Sequence, residues 1–322
     1  MNKTLPYKTK QFFFVLIKLS IVVGAFYFIY EKLANNNTLQ FSTFVDFISK
    51  NHVFTSKNII LLLFLSIFNW FFEIIKWQNL VSFVKKITYK NALEQSLGAL
   101  TASLFTPNRI GEYGAKAIYY PANSRKRIVL INLLSNLLQM AVTIILGVIG
   151  FYFLVTTYQV NLDYYKLARV FVISLMVVFL IGFGIKKSKP IIKGFSLEKI
   201  KQFILKFPRE KFILGFLLSL LRYSIFSFQF YVLLQLFGVN ITYLNAMVII
   251  TSMYLLASII PSIFIFDVVI KGSIALYLFA LAGVNELTVL SIVTIMWLLN
   301  FVLPSVFGSF YVLNFNLPKS DN

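Results

Sequence analysis

The chain has 322 residues, 59% of them hydrophobic and only 13% charged, with a mean hydropathy of +0.81. A soluble domain is nearer half apolar and a quarter charged, so the composition excludes one and indicates an all-α polytopic membrane protein, a single integral domain over residues 1–322. The absence of cysteine and a single histidine, His52 in a polar loop, exclude disulfides and zinc or thiolate metal sites, so no metal and no cofactor is expected.

Six stretches read as full spans: Phe12–Tyr30, Asn58–Leu80, Ile128–Leu154, Leu167–Ile185, Phe212–Leu236 and Leu287–Leu313. Each has roughly the 20 residues that a bilayer core of about 30 Å requires of a helix. The first is long enough to be a retained span, and no separate cleavable signal precedes it. Two further apolar segments, Asn91–Tyr119 and Tyr243–Ala282, are interrupted near their middles by Pro107 and Pro261. Each reads as a re-entrant helical hairpin that returns to the side it entered from, with full crossings as the alternative.

The net charge of +19 lies mainly in short loops between apolar runs, which marks membrane orientation rather than nucleic-acid binding. With the N-terminus inside, the segments 1–10, 84–90, 120–127, 186–211 and the C-terminal tail hold 19 of the 30 Lys/Arg residues, and the outer segments 31–57, 155–166 and 237–242 hold 4. That asymmetry places both termini in the cytoplasm of a cell-membrane protein. The basic loop 186–211 includes SLEKIKQFILKF, where apolar residues recur at helical spacing beside lysines, as in an interfacial helix on anionic lipid. In this topology the two hairpins enter from opposite sides, as an inverted repeat requires.

The hairpins also resemble each other. Ala102-Ser103 precedes Pro107 and Ala257-Ser258 precedes Pro261; Glu112 and Lys116 follow the first break, and Asp267 and Lys271 follow the second. The offset is 155 for Ala, Ser, acid and lysine and 154 for proline. An acid and a lysine four residues apart share a helix face, and Arg109 points the same way as Glu112 and Lys116. Pro107 and Gly111 beside them suggest an opened backbone, whose free N–H groups suit an anion. An ionisable group at a helix centre costs about 2.5–3.5 kcal/mol even on lenient scales, so these charges read as a site, with a buried staple as the plainer alternative.

Arg222, near the middle of its span, cannot be neutralised and needs a protein carboxylate or a substrate phosphate. Asn132, Asn136 and Gln139 form a stripe that reads as interhelical glue. Glu73 and Lys76 beside Trp77 read as an interfacial ion pair with an aromatic anchor, and Asn300 with Pro304 as a kink.

Pro107-Asn108-Arg109-Ile110-Gly111-Glu112 resembles the Pro-Gly-Arg-x-Gly-Glu motif of the lysylphosphatidylglycerol synthase/flippase membrane-domain family, and the span order agrees from about Leu61 to Leu313. The second break, Pro261-Ser262-Ile263-Phe264-Ile265-Phe266-Asp267, departs from that family's Pro-Gly-Gly turn and following glutamate. Larger members carry a soluble aminoacyl-transferase domain after the membrane part; this chain ends at Asn322, so lipid lysylation is not expected of it. The resemblance implies movement of a charged lipid between leaflets. The residues agree: Arg109, Glu112, Lys116, Arg222, Asp267 and Lys271 carry a net charge of +2, suited to an anionic headgroup. No GxxxxGK[ST] loop for ATP is present. The expected partners are membrane lipids, with an oligomer or a partner subunit also open. The expectation is a transporter, not an enzyme; a membrane-embedded transferase on a lipid-linked substrate and a non-catalytic accessory subunit are the alternatives. The cysteine-free chain gives a direct topology test: Asn240→Cys should react with an impermeant thiol reagent from outside, and labelling from the cytoplasmic side alone would overturn the orientation.

Overall fold

The computed structural model describes residues 55–104, 106, 110–160, 202–203, 205–259 and 264–316, with 264–270 in the backbone only, and four isolated earlier residues, Leu19, Ser20, Val23 and Tyr27. The predicted spans Phe12–Tyr30 and Leu167–Ile185, and most of the loop 186–211, lie outside the described residues. Among the described residues every regular element is helical.

Four helices are long and apolar enough to cross a membrane, and all four match predicted spans. Helix α1 (Ser56–Val81) starts at Thr55, whose hydroxyl accepts from the Asn58 N–H at 3.3 Å. Helix α4 (Arg125–Thr157) and helix α5 (Arg209–Leu236) are the next two. The last is one run of helix whose winding changes: α8 (Glu286–Trp297) passes through a π turn at Leu298–Val302 into α9 (Leu303–Asn314). Pro304 has no N–H to give the turn before it, and the π turn, which includes Asn300, sits at that point.

The two proline-broken segments are each a pair of shorter helices. In the first, α2 (Tyr89–Ser103) and α3 (Gly111–Ala117) run antiparallel. Tyr120 just beyond α3 donates to Gln95 midway along α2, while Gly111 at the start of α3 lies against the Ala102 carbonyl late in α2. In the second, α6 (Tyr243–Ile259) and α7 (Phe264–Ala280) pack on each other. The breaks fall around Pro107 and Pro261, as the sequence predicts, although both prolines are outside the described residues.

The long helices are amphipathic in the sense that a bilayer demands. Helix α1 turns Ser66, Asn69, Glu73 and Lys76 inward and leaves Ile60, Phe64, Ile67 and Phe71 outward. Its polar stripe is the buried one. Two apolar clusters form the interior. One gathers Leu62, Leu154, Phe230, Ile250, Phe279 and Met296; the other gathers Ile74, Trp77, Leu80, Leu100, Ile131 and Leu138. Between them lies a polar seam containing Ser66, Asn69, Gln229 and Asn300.

Helix pairing is tight where small residues meet. Helix α2 packs along α9, with the Thr101 hydroxyl donating to the Ser305 carbonyl at 2.9 Å. A Cβ at Gly308 would run into the Leu97 carbonyl oxygen, which is backbone and cannot move aside. Helix α6 packs along α4 in the same manner, Gly150 lying against Thr251. Helix α1 packs antiparallel to α5, Asn79 pairing with Lys211 at one end and Leu62 with Gln229 at the other. Close approach of this kind is the main source of helix association in lipid. Gly308→Ala should therefore destabilise the protein by about 1–3 kcal/mol. Gly114→Ala, with nothing within 4 Å of its Cβ, should not. Unfolding in detergent micelles compares the two.

Candidate functional site

The charges inside the bundle meet at the α1–α5 crossing. Arg222 is 13 residues from the start of α5 and 14 from its end, so it lies at mid-helix. Opposite it on α1, the Glu73 carboxylate accepts from two cations with one oxygen: Oε2 is 2.8 Å from Arg222 Nη1 and 2.7 Å from Lys76 Nζ. Arg222 Nε donates to Asn69 Oδ1 at 3.2 Å, and Nη1 also reaches Gln139 Oε1 at 3.5 Å. The carboxylate that Arg222 needs is thus supplied by the protein.

The cluster revises one sequence expectation. Glu73, Lys76 and Trp77 are buried, not interfacial, and Trp77 is 0% exposed. Its indole N–H donates to Gln95 Oε1 at 2.8 Å, and the same oxygen accepts from the Tyr120 hydroxyl at 2.8 Å. An interfacial anchor would present that N–H to headgroups; here it is spent on the first hairpin.

From Asn69 the polar seam continues to the last span. Asn69 Nδ2 donates to Asn300 Oδ1 at 2.8 Å, and Asn300 Nδ2 donates to Gln229 Oε1 at 2.8 Å. Gln229 Nε2 closes the chain on the Leu62 carbonyl at 2.9 Å. The Asn300 carbonyl, in the π turn, accepts from the Trp70 indole. An amide on the last span therefore orients the amide that holds Arg222.

A second ion pair lies beside the first. Lys116 Nζ is 2.8 Å from Glu112 Oε1, as the spacing of four predicts, and donates to Asn132 Oδ1 at 2.9 Å. The ammonium also sits 4.2 Å from the centre of the Trp77 ring, a cation–π contact that places it next to the Glu73 cluster. Asn136 donates to the Tyr113 hydroxyl, and Gln139 links to both Ser219 and Arg222. The stripe on α4 is glue, as expected. Part of what it holds is the ion network.

Of the other predicted site residues, Gly111 packs at the break: its N–H donates to Thr106 Oγ1 at 2.9 Å, and a Cβ there would meet Thr106 and the Ala102 carbonyl. Lys271, on α7, is partly buried. Pro107, Arg109 and Pro261 lie outside the described residues, and Asp267 is described in its backbone alone. The six predicted residues therefore do not form one described cluster. Glu112 and Lys116 meet each other, whereas Arg222 meets Glu73. Elimination could have found that partner: among the four long helices, Glu73 is the one acid away from a helix end.

Removing Glu73 would leave the buried Lys76 and the half-buried Arg222 without their shared counter-charge. Glu73→Leu should destabilise by about 3–5 kcal/mol. Asn300→Leu, which breaks neutral hydrogen bonds, should cost about 1–3 kcal/mol. Unfolding titrations in micelles should rank the two in that order; the reverse order would show that the ion cluster is not the stronger constraint.

Comparison with the curated proteins finds no match. A family match covers most of the chain, from the last part of the N-terminal region through the cation-bearing helices to the final span. The family is described as lysylphosphatidylglycerol synthase TM region, and with residues 15–308 matched to it, the chain belongs to that family.

Proposed function

We propose that this membrane protein carries a lipid with an anionic headgroup between the leaflets of the cell membrane, with both termini in the cytoplasm, and that it is a transporter and not an enzyme. The observation that carries this reading is Arg222: a permanent cation at mid-helix, tied to one carboxylate, with a side chain still 22% exposed. Three cations, Lys76, Lys116 and Arg222, stand against two carboxylates, Glu73 and Glu112, so the described cluster holds an excess of one positive charge. Arg109, Asp267 and Lys271 are assigned to the same path, on the strength of their spacing beyond the two breaks.

The helix pairing supports an inverted repeat of six spans and two re-entrant hairpins. Let α1–α4 form one half and α5–α9 the other, with α8 and α9 as one span. Exchanging the halves maps α1 on α5 onto itself, and maps α2 on the last span onto α6 on α4. Both exchanged interfaces place a hairpin threonine on a glycine, Thr101 on Gly308 and Thr251 on Gly150. Transporters built this way rock one half against the other around a site near the midplane, the level that Arg222 occupies.

The purified chain in vesicles containing fluorescent short-chain phosphatidylglycerol should make the probe in the inner leaflet accessible to an external quencher faster than empty vesicles do. Arg222→Lys should slow this while folding normally, because lysine keeps the charge and loses the fork. Glu112→Leu with Lys116→Leu should insert, stay monodisperse and lose transport if that pair lines the path. A wild-type rate equal to that of empty vesicles would sink the transport reading. A new lipid product in the same samples would favour the transferase.

A further inference from the structure

We propose that the last span is a hinged strut, anchored on α1 at its π turn, so that α8 moves with the second hairpin while α9 stays on the first. The inference goes beyond the lipid carried and rests on helix pairing and hydrogen bonds; only its use in transport rests on the function proposed above.

Two spans join the hairpins. The first half of α4 meets the first hairpin, where Lys116 donates to Asn132 and Asn136 donates to Tyr113. Its second half meets the second hairpin, where Gly147 and Gly150 lie against Leu255 and Thr251 of α6. The last span does the same with the hairpins exchanged. Its first half, α8, packs on α7, and Val289, Ile292 and Met296 share an apolar cluster with Ala275, Leu278 and Phe279. Its second half, α9, lies on α2 through Ser305 and Gly308. The two struts differ in the backbone between their halves. Helix α4 runs unbroken from Arg125 to Thr157, whereas the last span changes winding at Leu298–Val302.

The hydrogen bonds at that turn suit a pivot. A helix resists bending because each carbonyl is tied to an N–H one turn further on. Here the Leu303 N–H donates to the Leu298 carbonyl, one residue further back than in an α-helix. An N–H at position 304 would serve the Leu299 carbonyl in π winding or the Asn300 carbonyl in α winding, and Pro304 has none. These two carbonyls are the ones met from outside the helix. The Ser66 hydroxyl donates to the Leu299 carbonyl at 2.6 Å, and the Trp70 indole donates to the Asn300 carbonyl at 3.0 Å. Ser66 and Trp70 lie one turn apart on α1, and Asn69 beside them donates to the Asn300 side chain at 2.8 Å. The turn is therefore held in place by α1, while a backbone bond that would stiffen it is missing. Bending there swings α8 against α9 without baring a carbonyl to lipid. Asn69 also accepts from Arg222, so the pivot stands beside the candidate site.

The chain has no cysteine, so pairs of spin labels can be placed directly. One pair, Glu286→Cys with Leu313→Cys, brackets the π turn. The other, Lys126→Cys with Phe153→Cys, covers the same number of residues on α4, and all four positions are exposed. With the full chain in nanodiscs, the distance distribution across the last span should be wider than that across α4 by about twofold or more. Pro304→Ala returns the missing N–H and should narrow it to the width of the α4 pair, with no loss of thermal stability. Trp70→Phe removes the donor to Asn300 and should widen it further. In the vesicle assay, Pro304→Ala should slow translocation by about tenfold.

Equal widths for the two wild-type pairs overturn the proposal. So does a Pro304→Ala distribution as wide as that of the wild type, or a narrowed one with translocation at the wild-type rate, since the hinge would then be idle. If Pro304→Ala fails to fold, Trp70→Phe decides: a width no greater than the wild type's overturns the anchored pivot. Failure of the transport reading looks different: the widths change as stated while the wild type itself moves no lipid.

Discussion

One carboxylate between two cations is the constraint on which the centre of this bundle depends. Removing a charge from water and from lipid headgroups costs several kcal/mol per ion, and the penalty is offset only where the geometry is close and the remaining hydrogen-bonding groups are met. Glu73 meets both cations at under 3 Å. The amides of Asn69 and Gln139 complete the shell on Arg222, and Asn300 and Gln229 extend it to the far wall. These contacts tie α1, α4, α5 and the last span at a common level. The apolar clusters above and below that level have no comparable directionality, so the register of α1 against α5 is set by the polar contacts.

In lipid, this arrangement inverts the usual division of labour. Outward-facing Phe64, Ile67 and Phe71 gain nothing by moving inside, because hydrocarbon surrounds them either way. Association then depends on close backbone approach and on polar groups that can be satisfied only by a neighbour. Gly150 and Gly308 provide the first; Glu73, Asn69, Asn300 and Gln229 provide the second.

The four long helices are legible in the sequence because a bilayer sets a minimum length for an apolar run, and Phe212–Leu236, for instance, differs from α5 by three residues at one end. Pro107 and Pro261 are legible in the same way: described helices end at Ser103 and Ile259 before them and start at Gly111 and Phe264 after them. Glu112–Lys116 is legible because both partners lie on one helix, four residues apart. The Glu73–Arg222 contact joins positions 149 residues apart, and no local pattern encodes it. Trp77 misleads for a physical reason: an indole beside a charged residue near a span end is the usual mark of a membrane interface, and only the position of Gln95 shows that its N–H faces inward. The brevity of α3, seven residues, was also hidden, because the apolar run continues through Ile118 to Tyr120 after the helix has ended.

The pairing of α2 with α9 has a consequence for how the protein is made. Helix α2 carries Lys90, Asn91, Glu94, Gln95, Ser96 and Thr101 within fifteen residues, too polar a stretch to remain in hydrocarbon uncovered. Its cover arrives late: Thr101 bonds to Ser305, 204 residues further along the chain. At ribosomal rates of about 5–20 residues per second, α2 is synthesised on the order of 10–40 s before the surface that shelters it. During that interval the segment has to wait at the membrane surface or beside the insertion machinery. The first half of the molecule can therefore reach its final form only after the last span has emerged, and assembly becomes a step that follows translation.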